Sequence, residues 1–453
     1  VAFQGKAALF AARTAYVEEN LMRPRHLTLS FARIATIIIL LALALVGCGS
    51  PSTVTLTYWP TESTAEKSVI LQLIQQFQQQ NPNIKINAKY GPFGRAQRDF
   101  ITASLADNAP DVLRSDVGWV IQFASQGYLL NVDSYVSKSD LSDYQSVPLS
   151  YDPLRYDQYN GHLYGLPQVT DFLALLYNQD EFRKAGITSP PVTMDDFEKD
   201  AMKIVQSEAA TYGFETPGIS YYVQPFLWAF GGGTIDKCNN IQVSNQGSID
   251  GLNFLLKLQN TDKVMPAKVD FNNGYNNMVN DFKSGKTAMI FVGPWEISNI
   301  QTGFAFTGNP SNLGIAPIPI GPGGDQPRSP VGGQSYVISA PTTHPAEAYK
   351  FISFMSSTTS QIAIAKANHT LPTRLSAYQD QGVSGGTGIK EFLSIKNTAV
   401  PRPPIPQGGL MFNAFDPNIG AALDGAKSPP QALNAVADAW KQLLAGSQRP
   451  PYC

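Results

Sequence analysis

The chain has 453 residues, 15% of them charged, a net charge of -2 and a pI near 6.1. Soluble proteins carry ~25% charged residues, so this surface is unusually neutral, with Asn, Gln, Ser, Thr, Gly and aromatic residues abundant. Such a balance supplies no general field for nucleic acid or for an anionic membrane surface, and it suits an uncharged polar ligand.

The first 21 residues contain Glu18 and Glu19 and no apolar run. An acidic extension ahead of an export signal is unusual, so Met22 is expected to be the true start and 1-21 a non-native extension. From Met22 the chain runs through Arg23, Arg25 and Arg33 into the apolar stretch Ile34 to Gly47. That stretch has the length of a signal-peptide core and falls short of the ~20 apolar residues that span a bilayer. Leu45-Val46-Gly47-Cys48 resembles the bacterial lipobox, so 22-47 is expected to be a lipoprotein signal peptide, Cys48 the lipidated residue, and 48-53 a short polar tether. Of the other two cysteines, Cys238 and Cys453, both in the same exported compartment, residue type alone does not establish a bridge.

About 400 residues beyond Cys48 exceed what one core usually serves, so two domains are expected. Val54, Leu56 and Tyr58 alternate as in a half-buried strand, and Ile70, Leu73, Ile74 and Phe77 follow at helical spacing until Asn81-Pro82-Asn83. Ile84 and Ile86 resume alternation, completing a strand-helix-strand unit of the type that builds parallel sheets. A strand at Asp111 to Leu113 leads into a helix carrying Trp119, Val120 and Phe123. A second α/β block holds a strand near Leu173 to Tyr177, a helix opened by Thr193, and a strand at Thr287 to Val292. Gly321 to Arg328 is turn-rich, with a strand expected only at Tyr336 to Ser339. Pro345 opens a further helix, Pro401 to Pro406 reads as an extended, exposed strap, and a last helix covers Pro430 to Leu444.

The order of motifs along the chain resembles the extracellular solute-binding proteins of ABC importers, in the branch that includes maltose-binding and related sugar-binding proteins. The resemblance rests on Ala109-Pro110-Asp111-Val112 with Asp116 and Trp119, then Tyr164-Gly165-Leu166-Pro167 with Thr170-Asp171 and Leu176-Tyr177-Asn178. Phe226-Leu227-Trp228, Gly285-Lys286-Thr287, Gly293-Pro294-Trp295, Val331-Gly332-Gly333-Gln334 and Leu371-Pro372-Thr373-Arg374 complete it. It implies an α/β periplasmic-binding-protein fold of type II-like form. Two discontinuous lobes, 54-168 with 321-372 and 171-317 with 376-453, would be joined by a hinge around a ligand cleft. It further implies capture of a sugar, a di- or oligosaccharide, and its delivery to the transmembrane subunits of a permease. The expected protein is a monomer, lipid-anchored outside the cytoplasm, without enzymatic activity, cofactor, metal or nucleic-acid partner.

A pyranose packs its C-H face on an aromatic ring and rings its edge with hydroxyls, so Trp119, Tyr177, Trp228 and Trp295 are candidate platforms. Asp116, Thr170 and Asp171 are candidate hydroxyl partners. Gly332 and Gly333 let backbone amides come close to a ligand, and Arg374 is a candidate donor at a lobe crossing. Each aromatic has core packing as its bland explanation. Two other ligand classes remain for the same transport role, a glycerol-phosphate-type solute, which wants convergent cations, and a polyamine, which wants several carboxylates beside the rings. A lipid-anchored glycoside hydrolase, using two of Glu62, Asp116, Asp171 and Glu296, is the rival from another class. Gly285-Lys286-Thr287 imitates the tail of a phosphate-binding loop, but it leads into a strand instead of following one.

Overall fold

The computed structural model describes residues 53-145 and 149-446; Cys48 and Cys453 lie outside them. Strand β1 (Val54–Trp59) buries Leu56 and Tyr58 on one face, as its alternation requires, and helix α1 (Lys67–Gln80) buries Val69, Ile70, Leu73, Ile74 and Phe77 against it. The Asn81 amide donates to the Phe77 carbonyl at 2.8 Å, closing the helix end. Strand β2 (Ile84–Ala88), helix α2 (Phe93–Leu105), strand β3 (Val112–Asp116) and helix α3 (Val117–Ser125) complete the first α/β block.

The chain then enters β4 (Gly165–Phe172) and, after the single residue Leu173, β5 (Ala174–Asn178). These two strands belong to different sheets. The second block continues with α4 (Met194–Gln206), β6 (Tyr212–Glu215), α5 (Ser220–Ala229), α6 (Gln246–Asn260), α7 (Gly274–Ser284), β7 (Thr287–Val292) and β8 (Leu313–Ala316). Strand β9 (Ser329–Ile338) returns to the first sheet, followed by α8 (Pro345–Met355), α9 (Thr358–Asn368), β10 (Leu371–Pro372) and β11 (Ala399–Val400). Helices α10 (Phe412–Leu423) and α11 (Pro429–Leu443) end the described chain.

The first sheet has the order β10-β4-β9-β3-β1-β2, with β11 alongside β9; the second has the order β8-β5-β7-β6. Pairing is parallel among β1, β2 and β3, while β9 runs antiparallel to both β3 and β4. The second sheet pairs β6 parallel to β7 and the rest antiparallel. Leu56, Ile70, Phe77, Phe351 and Ile352 share the first lobe's core; Phe197, Phe214, Phe226, Phe291, Phe415 and Trp440 share the second's. Between them a third apolar group takes members from both sheets, Phe172, Val331 and Leu371 with Leu176, Ile290 and Val292, sealed by Phe392. This junction core is the base on which the two lobes meet.

Several expectations are met and three are displaced. Thr193 caps α4 through a reciprocal box with Asp196. Gly285 takes the left-handed conformation (φ 81) as the C-cap of α7, and the Gly285 and Lys286 amides donate back to Phe282 and Asp281 carbonyls. Those amides are spent on helix closure, which accounts for the phosphate-loop imitation. Strand β9 begins seven residues before the expected Tyr336 and is buried throughout. Its Gly332-Gly333 pair lowers strand propensity, yet it occupies the sheet centre with a bulge between Gln334 and Ser335. The third lobe passage lies at 401-411, beyond the expected Leu371 to Arg374, because β10 and β11 both still pair within the first sheet. The strap itself is half-buried, with only Pro404 exposed among Pro401 to Pro406. No helix among the described residues is long and apolar enough to cross a membrane.

Candidate functional site

Strand β3 ends on Asp116, which caps α3 by accepting from the Gly118 amide at 2.7 Å. The same carboxylate oxygen accepts from Arg402 Nη2 at 2.8 Å, so the strap is pinned to the first lobe by a buried ion pair. Gly118 makes this possible, since a Cβ there would lie 2.9 Å from Arg402 Nη1. The Tyr156 hydroxyl donates to the Arg402 carbonyl at 3.1 Å. Arg402 was not singled out by sequence; the strap's prolines told of extension and nothing of its partner.

Asp171 lies on β4 opposite Gly332 of β9. A Cβ on Gly332 would fall 2.1 Å from Asp171 Oδ1 and 2.8 Å from the Tyr221 hydroxyl, so these groups crowd one point. Tyr221 comes from α5 of the second lobe and donates to the Pro330 carbonyl at 2.9 Å, a bond across the lobes. Burial, then the nearby Asp116 charge, pushes the Asp171 carboxyl up to about 7, and its side chain accepts no hydrogen bond among the described residues. Thr170 Oγ1 donates to the Gly332 carbonyl at 3.5 Å, and Gly333 takes φ 133 with a would-be Cβ 2.6 Å from the Val169 carbonyl. Thus Asp116, Thr170, Asp171, Gly332 and Gly333 are brought together.

Helix α5 faces the same place. Its residues Tyr222, Val223, Phe226 and Leu227 enter the second core, with Tyr221 packed at its edge; Tyr221, Gln224 and Trp228, at i, i+3 and i+7, share the helix face turned toward β9. Gln224 is buried and its Nε2 has no partner among the described residues; the helix abuts β9. Trp228 is buried yet belongs to none of the apolar cores. The 221/224/228 spacing is the signal in the sequence that marks Tyr221 and Gln224 as partners of Trp228.

Trp295 follows Gly293-Pro294 at the end of β7, its ring lying over Gly293, where a Cβ would be 1.8 Å away. Its indole Nε1 donates to the Tyr275 hydroxyl at 2.7 Å, and Tyr275 in turn donates to Glu296 Oε1 at 2.7 Å. Tyr275 packs 5.9 Å from the Tyr222 ring, joining Trp295 to α5. Burial raises the Glu296 carboxyl, with Glu66 of the first lobe adding to it. Glu66 itself pairs with Arg114 at 2.9 Å, and Glu62 stands 3.4 Å from the same guanidinium.

Three candidates lie elsewhere. Trp119 is packed between Phe93 and Phe123, at 5.1 and 6.5 Å, against the strap at Gly409. Tyr177 sits at the far end of β5, about four strand steps or ~13 Å from the lobe passage. There its ring covers Gly314, lies tilted 4.7 Å from Phe182 and borders a surface cavity of about 560 Å³. Arg374 is enclosed in the first lobe. Its Nε donates to the Ser356 carbonyl at 2.7 Å, Nη1 reaches Asp143 at 3.2 Å, and the guanidinium covers the Tyr144 ring at 4.3 Å. Cys238 is in a disulfide whose partner lies outside the described residues.

A model of the family described as bacterial extracellular solute-binding protein matches residues 61–362. The chain belongs to that family. It is 26% identical to a binding protein of Brucella abortus, over 62% of this chain and 66% of that one, so the match spans just under two thirds of that relative's length. A maltooligosaccharide ABC transporter solute-binding lipoprotein of Streptococcus pneumoniae is 25% identical over 82% of this chain and 84% of its own. Among solved structures, the GacH receptor of Streptomyces glaucescens, determined unliganded and with acarbose, superposes with a TM-score of 0.81 at 31% identity, covering 87% of this chain and 100% of that one. The fold is therefore the two-lobed one of maltose-binding-type proteins.

Proposed function

We propose that this protein captures a di- or oligosaccharide outside the cytoplasm and delivers it to the transmembrane subunits of an ABC importer, without chemistry on the sugar. The two lobes, meeting at the junction core and at Leu173, close over the ligand by the hinge motion that periplasmic binding proteins exemplify. The observation that carries the reading is the second-lobe wall. Tyr221, Gln224 and Trp228 share one face of α5, and Trp295, tied to the same helix through Tyr275 and Tyr222, has its only polar hydrogen already given to Tyr275. An indole so engaged offers its face alone, which suits the C-H face of a pyranose. Similarity to a maltooligosaccharide-binding lipoprotein and to an acarbose receptor supports the ligand class.

The glycerol-phosphate alternative lacks its cation. Arg114 and Arg402 are both committed to carboxylates, so a phosphodiester would have to displace a buried pair. In our reading Arg374, Tyr177 and Trp119 serve structure, and the protein acts as a monomer held to the membrane by lipid on Cys48. Replacing Cys48 by Ala should move the expressed protein from the membrane fraction to the soluble one.

The test of function is a thermal-shift screen of the region beyond Cys48 against maltotriose, other oligosaccharides, glycerophosphodiesters and spermidine. A ligand bound only by the folded state raises the melting temperature, by about 2.7 kcal/mol of stabilisation at a hundredfold excess over Kd. Saccharides should shift it; a shift from spermidine or a phosphodiester alone overturns the assignment. Chromogenic glycosides should remain uncleaved.

A further inference from the structure

We propose that the second lobe holds a second binding site, set apart from the cleft, in a cavity between β6 and α7 that takes one neutral polyhydroxy molecule of monosaccharide size. The cavity has a volume of about 360 Å³. That is the small end of the ~300–1,000 Å³ usual for ligand pockets, room for a single sugar ring. None of Tyr221, Gln224, Trp228 and Trp295 lines it. One side is the end of β6, where Glu215 and Thr216 are only 7% and 3% exposed. Another is the start of α7, whose first residue, Gly274, packs so closely on Pro217 that a Cβ there would lie 3.0 Å from the Pro217 carbonyl oxygen. Gln259 of α6 fastens the loop between, donating to the Pro266 and Ala267 carbonyls at 3.4 and 3.3 Å.

The groups around this cavity want different partners, and a hydroxyl serves all of them. Thr216 Oγ1 is buried with no hydrogen-bond partner among the described residues. Glu215 Oε2 accepts from Thr287 Oγ1 at 2.9 Å, and a carboxylate has room to accept more. Asn273 caps α7 without a side-chain hydrogen bond, so the helix opens on amides that need an acceptor. An anion would suit those amides and meet Glu215 and Asp270 as like charges. A cation would suit Glu215 and meet Lys268 and the positive end of α7. Lys286 does not change this balance, because it is paired with Asp281 at 2.6 Å. A hydroxyl donates to the carboxylate and accepts from the amides without adding charge. Met265, Pro266 and Val269 supply an apolar side, which favours the C-H face of a sugar or cyclic polyol.

Occupation of this site reaches the cleft through α7. Tyr275 follows Gly274 in the same first turn and takes the Trp295 indole proton at 2.7 Å, so a ligand that fixes this turn also fixes Trp295. Each site should then change the affinity of the other by the same factor. This coupling, unlike the site itself, rests on the saccharide reading above.

Titration calorimetry on wild-type protein saturated with maltotriose tests the site, with glucose, galactose, myo-inositol, inorganic phosphate and spermidine as probes. At least one neutral probe should give a further saturable heat of one molecule per chain. Thr216→Val should weaken that binding about tenfold and leave maltotriose affinity within about twofold. The hydroxyl it removes has no partner, so this variant should melt no lower than wild type, which separates lost binding from lost fold. Val269→Phe, at the half-buried rim, should weaken the same binding by filling the space. No further heat from any probe, heat from phosphate or spermidine alone, or heat that survives Thr216→Val overturns the site. Maltotriose affinity unchanged by the neutral probe overturns the coupling and leaves the site. If maltotriose itself does not bind, the saccharide reading falls, and the same probes applied to wild type and Thr216→Val without it still decide the site.

Discussion

Arg402 and Asp116, 286 positions apart in sequence, form a buried ion pair at 2.8 Å that ties the last lobe passage to the end of β3. Both side chains are only 11% exposed, so removing one strands the other. Breaking a buried pair costs about 3–5 kcal/mol, and Arg402→Ala should lose stability of that order in urea unfolding. The double change Asp116→Asn with Arg402→Gln should lose less than Arg402→Ala alone. Equal stability of Arg402→Ala and wild type would show that water enters the site and screens the pair.

Tyr275→Phe removes the hydroxyl that takes the Trp295 proton and gives its own to Glu296. Losing these bonds should cost about 1–3 kcal/mol of stability. Saccharide affinity should fall about tenfold as the indole loses its fixed orientation, and the tryptophan emission should shift. Unchanged emission and affinity would mean that Trp295 is held by packing alone.

Burial pushes the Asp157 carboxyl up to about 8, and its Oδ1 has no partner among the described residues, while Oδ2 accepts from Ser335 at 2.9 Å. In the unfolded chain the group ionises near 3.9. Between that pH and about 8 the folded state holds the extra proton, so stability falls as pH rises. The slope from one such group is at most about 1.4 kcal/mol per pH unit. Glu181, also pushed up to about 8 by burial, acts in the same direction. Asp157→Asn should be more stable than wild type at pH 8 and similar near pH 4. Parallel melting curves across that range would contradict the assignment.

The two glycines of β9 should fail differently. Gly332→Ala places a methyl 2.1 Å from Asp171 Oδ1 and should abolish ligand binding with modest loss of stability. Gly333→Ala must force φ 133, a region reserved for glycine, and meets the Val169 carbonyl at 2.6 Å. It should cost about 1–3 kcal/mol whether or not ligand is present. Melting temperatures measured with and without maltotriose separate the two.

Arg374→Ala should destabilise the first lobe and leave affinity within threefold of wild type, since its partners Ser356, Asp143 and Tyr144 belong to that lobe. A selective loss of binding would restore it to the cleft.

What could be read before folding was what depends on near neighbours. The α1 stripe from Ile70 to Phe77, the Thr193 cap and the β1 alternation follow from spacings within a few residues. Asp171 and Gly332 were legible as candidates because their motifs are distinctive, though their mutual contact was not. Strand β9 hid behind its glycines, which are present because Asp171 and Val169 crowd them. Arg402 hid because its role exists only with Asp116, far upstream. Tryptophan identity alone could not distinguish Trp295, held by Tyr275, from Trp119, wedged between Phe93 and Phe123.

The interleaved path of the chain also sets a timetable. The central strand of the first sheet, β9, follows the whole second sheet in sequence, and the second core lacks Phe415, Ile419 and Trp440 until α10 and α11 are made. A chain emerging N-terminus first therefore carries a first sheet without its central strand until Ser329–Ile338 is made, and a second core uncovered until α10 and α11 follow. Loss of α11 alone would strip Leu433, Val436 and Trp440 from the second core and leave a half-built lobe prone to aggregate.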